Sequence, residues 1–258
     1  MSSPGGATEV VILFEQATLA QQPVFVPYGG THWAVLALGA GGAVFLIALG
    51  RRHRGRDTAR VVSRGFAVVL VAFQLPFQVR ALTPAQWDLY ESLPFQLSDL
   101  AWIVAAYALW SHRWWAFALT YYWGLTLTPQ AMFTPALDAP DFPHVAFVEF
   151  WGHHLFVAWA ALYLTWGVGL RPTWRSLRVT LAVTLAWAVC AQTFNAATGA
   201  NYGFLDRKPA NPSLLDVMGP WPYYIAVEFV AVVIGWALIT WPWVSSRRRA
   251  RADTRESA

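Results

Sequence analysis

Ser98, Asp99, Glu149, His153 and His154 are the side chains in this sequence best suited to chemistry. A hydroxyl becomes a useful nucleophile once a base takes its proton, and imidazole suits that role near neutral pH. Glu149 lies four residues before His153, so on a helix the two share a face and the carboxylate can orient the ring. Asp99, beside the serine, is the alternative orienting group. Gln130, Asn195 and Asn201 are candidate amide donors to an oxyanion. Arg207 and Lys208 could hold a phosphate, and Gln96, Tyr202 and Asp216 complete the candidate substrate-binding set. Each has a plain structural alternative. A serine in a membrane helix can bond the carbonyl four residues back. Gln96 and Asp99 can cap a helix, and Lys208 can pair with Asp216 in a solvated turn.

The elements that carry these groups are apolar. The 258 residues are 57% hydrophobic and 12% charged, about half the charge of an ordinary soluble domain. Trp is abundant, as expected at the two boundaries of a bilayer. The composition implies an all-α polytopic membrane protein, a single membrane domain with no soluble partner domain. Residues 1–32 form an outer segment, 33–244 a seven-helix bundle and 245–258 a cytoplasmic tail. The expected spans are 33–50, 61–81, 93–110, 114–133, 145–170, 177–197 and 221–244, each near the 20 residues that cross a hydrocarbon core. Ser92 and Asp141 are expected N-caps, with Pro94 and Pro143 in first helical turns. Residues 10–14 are too short to span and suit the interface.

Arginine placement sets the orientation. Residues 51–60, 112–113, 171–178 and 247–249 hold most of the positive charge, and the alternate loops hold Asp88, Glu91, Asp138, Asp141, Asp206 and Asp216. The positive-inside rule then places the N-terminus outside and the C-terminus in the cytoplasm. With that topology the polar groups gather toward the outer side, and a pocket opening outward under residues 198–219 is expected. Ser98 and His153 each lie about five residues into their spans, roughly 7 Å deep at helical rise, so they can meet. Cys190, the one cysteine, excludes an internal disulfide and reads as a small buried hydrophobe. The basic balance is explained by topology, so no nucleic-acid partner is expected. No cofactor or metal is expected either, because Glu149 with His153 lacks a zinc-type pattern.

Leu-Pro-Phe-Gln-Leu-Ser-Asp at 93–99, Thr-Pro-Gln at 128–130, Asn-Tyr at 201–202, Arg-Lys-Pro at 207–209 and Ser-Leu-Leu-Asp-Val-Met-Gly-Pro-Trp-Pro-Tyr-Tyr at 213–224 resemble the YwaF family of bacterial membrane proteins. The resemblance covers span two through span seven. Animal relatives of that family include a transmembrane phospholipid acyltransferase that uses a Cys–His pair. Carried over, it implies that Ser98 takes the nucleophile position and that His153 or His154 supplies the imidazole. Serine in place of cysteine departs from that pattern: the acyl intermediate becomes an ester, and the base must work harder. The implied activity is acyl transfer or acyl hydrolysis on membrane lipids at the outer leaflet of a bacterial plasma membrane. The alternatives are a transporter or small-molecule binder without catalysis, and a structural membrane protein.

Overall fold

The computed structural model describes residues 23–135, 137–210 and 213–256. The 10–14 stretch lies outside them. The chain is helical: α1 (Gly30–His53), α2 (Thr58–Ala81), α3 (Leu97–Ser111), α4 (Trp114–Tyr122), α5 (Thr128–Phe133), α6 (Val145–Leu162), α7 (Trp174–Thr198) and α8 (Tyr223–Glu256). A π turn over Trp123–Leu127 joins α4 to α5 in one continuous rod, and a second over Tyr163–Val168 extends α6. Five helices are long and apolar enough to cross a membrane, namely Gly30–His53, Thr58–Ala81, Val145–Val168, Trp174–Thr198 and Tyr223–Ser246. The chain is thus a multi-pass membrane protein.

Helices α3, α4 and α6 form the centre. Ala105, Ala108, Ala116, Ala118, Ala160 and Ala161 are buried there, and such small side chains let membrane helices approach closely. Gly124 is one contact point, since a Cβ added to it would stand 2.8 Å from that of Ala161. Larger side chains seal the core: Leu109, Tyr122, Trp123, Tyr163, Leu164 and Trp236 are all buried. Their polar ends are paired within the bundle. The Tyr122 hydroxyl lies 2.6 Å from that of Thr240, and the Trp236 indole donates to Thr126. Val44, Phe45, Val61, Leu75, Val230 and Leu238 point outward, as a lipid-facing surface requires. Cys190 is exposed with them; it sits on the outer face of α7 rather than in the core, because α7 is peripheral at that level.

Helix α1 packs along α6, with His32 and Gly50 buried at its two ends and the Trp159 indole donating to the Gly39 carbonyl at 2.8 Å between them. Gly50 crosses Gly167, and a Cβ on Gly50 would stand 2.6 Å from the Gly167 Cα. Just beyond, Arg54 donates through Nε and Nη2 to the carbonyl of Gly167 at 2.9 and 2.7 Å, and through Nη2 to that of Trp166 at 2.6 Å. It thereby satisfies carbonyls that the end of the second π turn leaves free. At the other end His32 accepts from the Tyr28 N–H and donates to the Met132 carbonyl.

Two helix starts differ from the sequence reading. Helix α3 begins at Leu97 with Gln96 as its N-cap, not at residue 93 with Ser92 as cap. Pro94 falls in the turn before it. Helix α6 is capped by His144, whose Nδ1 accepts from the Ala146 N–H, and not by Asp141. Asp141 instead accepts from the Thr31 hydroxyl at 2.9 Å, tying the segment before α6 to α1. The late start leaves α3 only 15 residues long, about 22 Å at helical rise against a hydrocarbon core of about 30 Å. Residues 91–96 precede that start, and Glu91, Ser92 and Leu93 among them line the polar site.

Candidate functional site

A small cavity of about 80 Å³ lies between α2, the start of α3, α6 and residues 91–93. Its polar lining is Gln74 and Gln78 from α2, Glu91 and Ser92 from the turn, Asp99 from α3, and Glu149 and His153 from α6. Helical spacing explains the set. Gln74 and Gln78 are four apart, as are Glu149 and His153, so each pair presents to one face. Residues 198–219 do not line it; the expected roof lies to the side and acts on the cavity through its wall.

His153 is the residue that meets Ser98. Its Nε2 donates to the Ser98 carbonyl at 2.9 Å. The bond goes to the backbone, not to the hydroxyl, so in this arrangement the ring's lone pair is on Nδ1. Ser98 itself is absent from the cavity lining. Asp99 accepts from the Gln96 N–H through Oδ2 at 3.0 Å, locking the first turn of α3. The structure therefore brings Asp99, Glu149 and His153 to one cavity and sets Ser98 against the imidazole through its main chain. His154 turns away from this cavity, its Nδ1 donating to the Phe150 carbonyl one turn back at 2.6 Å.

Gln74 and Gln78 escaped the sequence reading. Gln74 is buried, and its Nε2 has no hydrogen-bond partner; Gln78 donates to the Ser92 carbonyl at 3.3 Å. Two amides one turn apart inside an apolar span were the signal, because buried amides demand partners.

The remaining candidates build the outer wall. Asn195 is fully buried, donating to the Tyr202 carbonyl at 3.0 Å and accepting from the Tyr202 N–H at 2.8 Å. Asn201 accepts from the N–H groups of Asp206 and Arg207 and donates to the Arg207 carbonyl. Each amide spends its oxygen and one N–H on the loop backbone, and neither lines the cavity. Tyr202, buried and with its hydroxyl held above its ordinary pKa chiefly by burial, donates to the Leu89 carbonyl and accepts from the Leu93 N–H. Gln96 accepts from the Gly203 N–H at 2.9 Å, and the Trp187 indole donates to the Phe95 carbonyl. The 201–204 turn thus grips the Leu-Pro-Phe-Gln stretch and, through it, the turn that lines the cavity.

Gln130 lies on α5, where its carbonyl accepts from Thr134, and it is not among the cavity lining. Lys208 sits 3.8 Å from Asp216 and over the Tyr224 ring, which makes that pair a turn brace; Arg207 is exposed beside it. Among the described residues no group of three or more His, Cys, Asp or Glu side chains is arranged to hold a metal ion.

The sequence stretches that converge here, 93–99 with 201–204 and α6, fall inside a single family match. No curated protein and no solved structure matches the chain. The model of the TMEM164 family matches residues 27–240, which takes in α1 to α7, the first half of α8 and the whole cavity wall. With most of its length inside that match, the chain belongs to the TMEM164 family.

Proposed function

We propose that this protein is a membrane enzyme acting on lipid acyl groups, with Ser98 as nucleophile and His153 as its base. The observation that carries the reading is the 2.9 Å contact of His153, which lines a polar cavity inside an apolar bundle, with the Ser98 carbonyl just behind that lining. Base and hydroxyl belong to adjacent groups, so the working state needs two small changes. The imidazole proton moves to Nδ1, and the Ser98 Oγ turns onto Nε2 in place of the carbonyl. Attack on an ester carbonyl then forms an acyl-serine and releases the alcohol, which takes the serine's proton from His153. Water or a second alcohol removes the acyl group with His153 as base again. Glu149, one turn before His153, and Asp99 across the cavity stabilise the imidazolium that forms between these steps. The resemblance to the acyltransferase relatives favours the same assignment.

Seven crossings, with the N-terminus outside and the C-terminus in the cytoplasm of a bacterial plasma membrane, go with this reading. The five long apolar helices, with the shorter α3 and the α4–α5 rod as third and fourth in chain order, make up the seven, and the arginine-rich alternate loops favour that order. Membrane lipids are then the partners, and the cavity opens to the outer leaflet.

The test is covalent labelling of the purified protein with a fluorophosphonate probe. Wild type labels, while Ser98→Ala and His153→Ala lose the label, and Ser98→Cys shifts reactivity to thiol-directed reagents. Equal labelling of wild type and Ser98→Ala refutes the assignment. A second reading, a binder of small polar or cationic groups without catalysis, is favoured by one observation. The cavity is lined by Glu91, Asp99 and Glu149 with an unpartnered Gln74 amide, while Ser98 is not on its surface. No labelling of any variant, together with a cation-dependent rise in wild-type thermal stability, is the result that selects it.

A further inference from the structure

We propose that the groove between α2 and α3 seats one acyl chain of an anionic phospholipid, its headgroup phosphate held by Arg64 and Arg60. The groove is a trough of about 510 Å³ with Ala67 and Ala106 buried in its floor and with Val68, Ala72 and Tyr107 along its rims. Its lining is apolar apart from the Tyr107 hydroxyl and the Trp110 indole, and no acidic group stands in it. One end is closed by Trp110 with the Arg64 guanidinium stacked over its ring, 5.1 Å from the centroid. That stacking fixes the cation at the mouth while leaving its in-plane N–H donors unused. Arg60, one turn earlier, spends only Nη1, on the Ser111 carbonyl at 3.1 Å.

Among the described residues the two arginines have no acidic partner. The ion pair present among the described residues is Lys208 with Asp216; Asp57, the nearest acid in sequence, makes none. Two guanidinium forks at one end of an apolar trough match a phosphate diester joined to a hydrocarbon chain, because such forks bind phosphate oxygens in pairs. From Arg64 to Ala72 the trough runs about 12 Å along α2 at helical rise. The polar cavity, at Gln78, is about 21 Å from Arg64 along the same helix, toward its opposite end. The groove is therefore a separate site, and its occupant is a lipid of the arginine-rich leaflet.

The probe is a vesicle of equal phosphatidylglycerol and phosphatidylcholine carrying the full-length protein, extracted gently and read by native mass spectrometry. Wild type retains phosphatidylglycerol in preference to phosphatidylcholine. Arg64→Gln lowers that preference roughly fivefold, the worth of one arginine near a charged lipid surface. Ala72→Trp, which fills the trough from its exposed side, removes retained lipid of both kinds. Raising the salt concentration during extraction narrows the wild-type preference, since the headgroup contact is at the surface. Equal retention of the two lipids by wild type at low salt overturns the proposal. Full retention of phosphatidylglycerol by Ala72→Trp also overturns it, since the chain would then lie elsewhere. Should Arg64→Gln fail to fold, the wild-type ratio at low and high salt decides alone, and a salt-independent ratio refutes the arginine contact.

Discussion

Replacing Asn195 with alanine tests how the outer wall is built. Its side chain is 1% exposed and makes both of its bonds to one residue, donating to the Tyr202 carbonyl and accepting from the Tyr202 N–H. Alanine removes both partners at once and leaves two backbone groups unsatisfied beside a buried ring. Each such group costs about 1–3 kcal/mol, so the pair costs about 2–6 kcal/mol, with the lower half favoured if water enters from the loop side. The released Tyr202 then loosens its hold on Leu89 and Leu93, which stand next to the cavity. Asn195→Asp keeps the acceptor but turns a carboxylate toward the Tyr202 carbonyl, and is expected to be at least as damaging. The assay is equilibrium unfolding in mixed detergent and dodecyl sulfate, followed by tryptophan fluorescence, with limited proteolysis of the 199–222 segment as a local readout. A loss below about 1 kcal/mol for Asn195→Ala, with unchanged proteolysis, would refute the claim that this amide pins the wall.

Three further outcomes are expected. Gly152→Ala places a methyl inside the Phe73 ring and should cost about 1–3 kcal/mol. Pairing it with Phe73→Leu should recover part of the loss, and strict additivity of the two changes would sink this account. Gly50→Ala, whose Cβ meets the Gly167 backbone, should lower the melting temperature, whereas Gly41→Ala, which meets nothing, should leave it unchanged or raise it; equal effects would show that the crossing is not tight. His112, in the α3–α4 turn, is held below the ordinary imidazole range first by burial and then by Arg60 and Arg64. Its folded pKa is below its unfolded one, so stability is lost as pH falls below about 6.5. Melts across that range should be flatter for His112→Gln, and identical slopes would remove His112 as the cause.

Apolar run lengths carried most of the helical architecture, because a bilayer allows few ways to bury a backbone. The spans read from sequence at 114–133 and 145–170 match the rods α4–α5 and α6 with its π turn. What escaped depends on contacts between distant residues. Helix α3 starts at Leu97 because Phe95 and Gln96 are held by Trp187 and Gly203, about a hundred residues away, and no local pattern reports that. Ser98 and His153 were expected to meet through their side chains, yet they meet through a carbonyl, since depth arguments fix height in the membrane and not rotation about the helix axis. Asn195 and Asn201 read as cavity donors when only their depth was considered; the backbone they bond folds back from the following turn, away from the cavity lining. Gln74 and Gln78 were legible in principle, hidden inside a span whose apolar total is high.

Arg54 stands apart from these because of when its partners are made. Its guanidinium binds the Trp166 and Gly167 carbonyls, 112 and 113 residues later. During synthesis those donors stay in water until the rod ending at Val168 has been inserted, and the junction closes only if both rods end on one side. A chain with α6 inverted would leave the carbonyls a bilayer away, about 30 Å off, with Arg54 and the helix end both unpaired. The contact thus checks the threading of the chain after the fact: it rewards the correctly inserted topology with three hydrogen bonds that a mis-threaded chain cannot form.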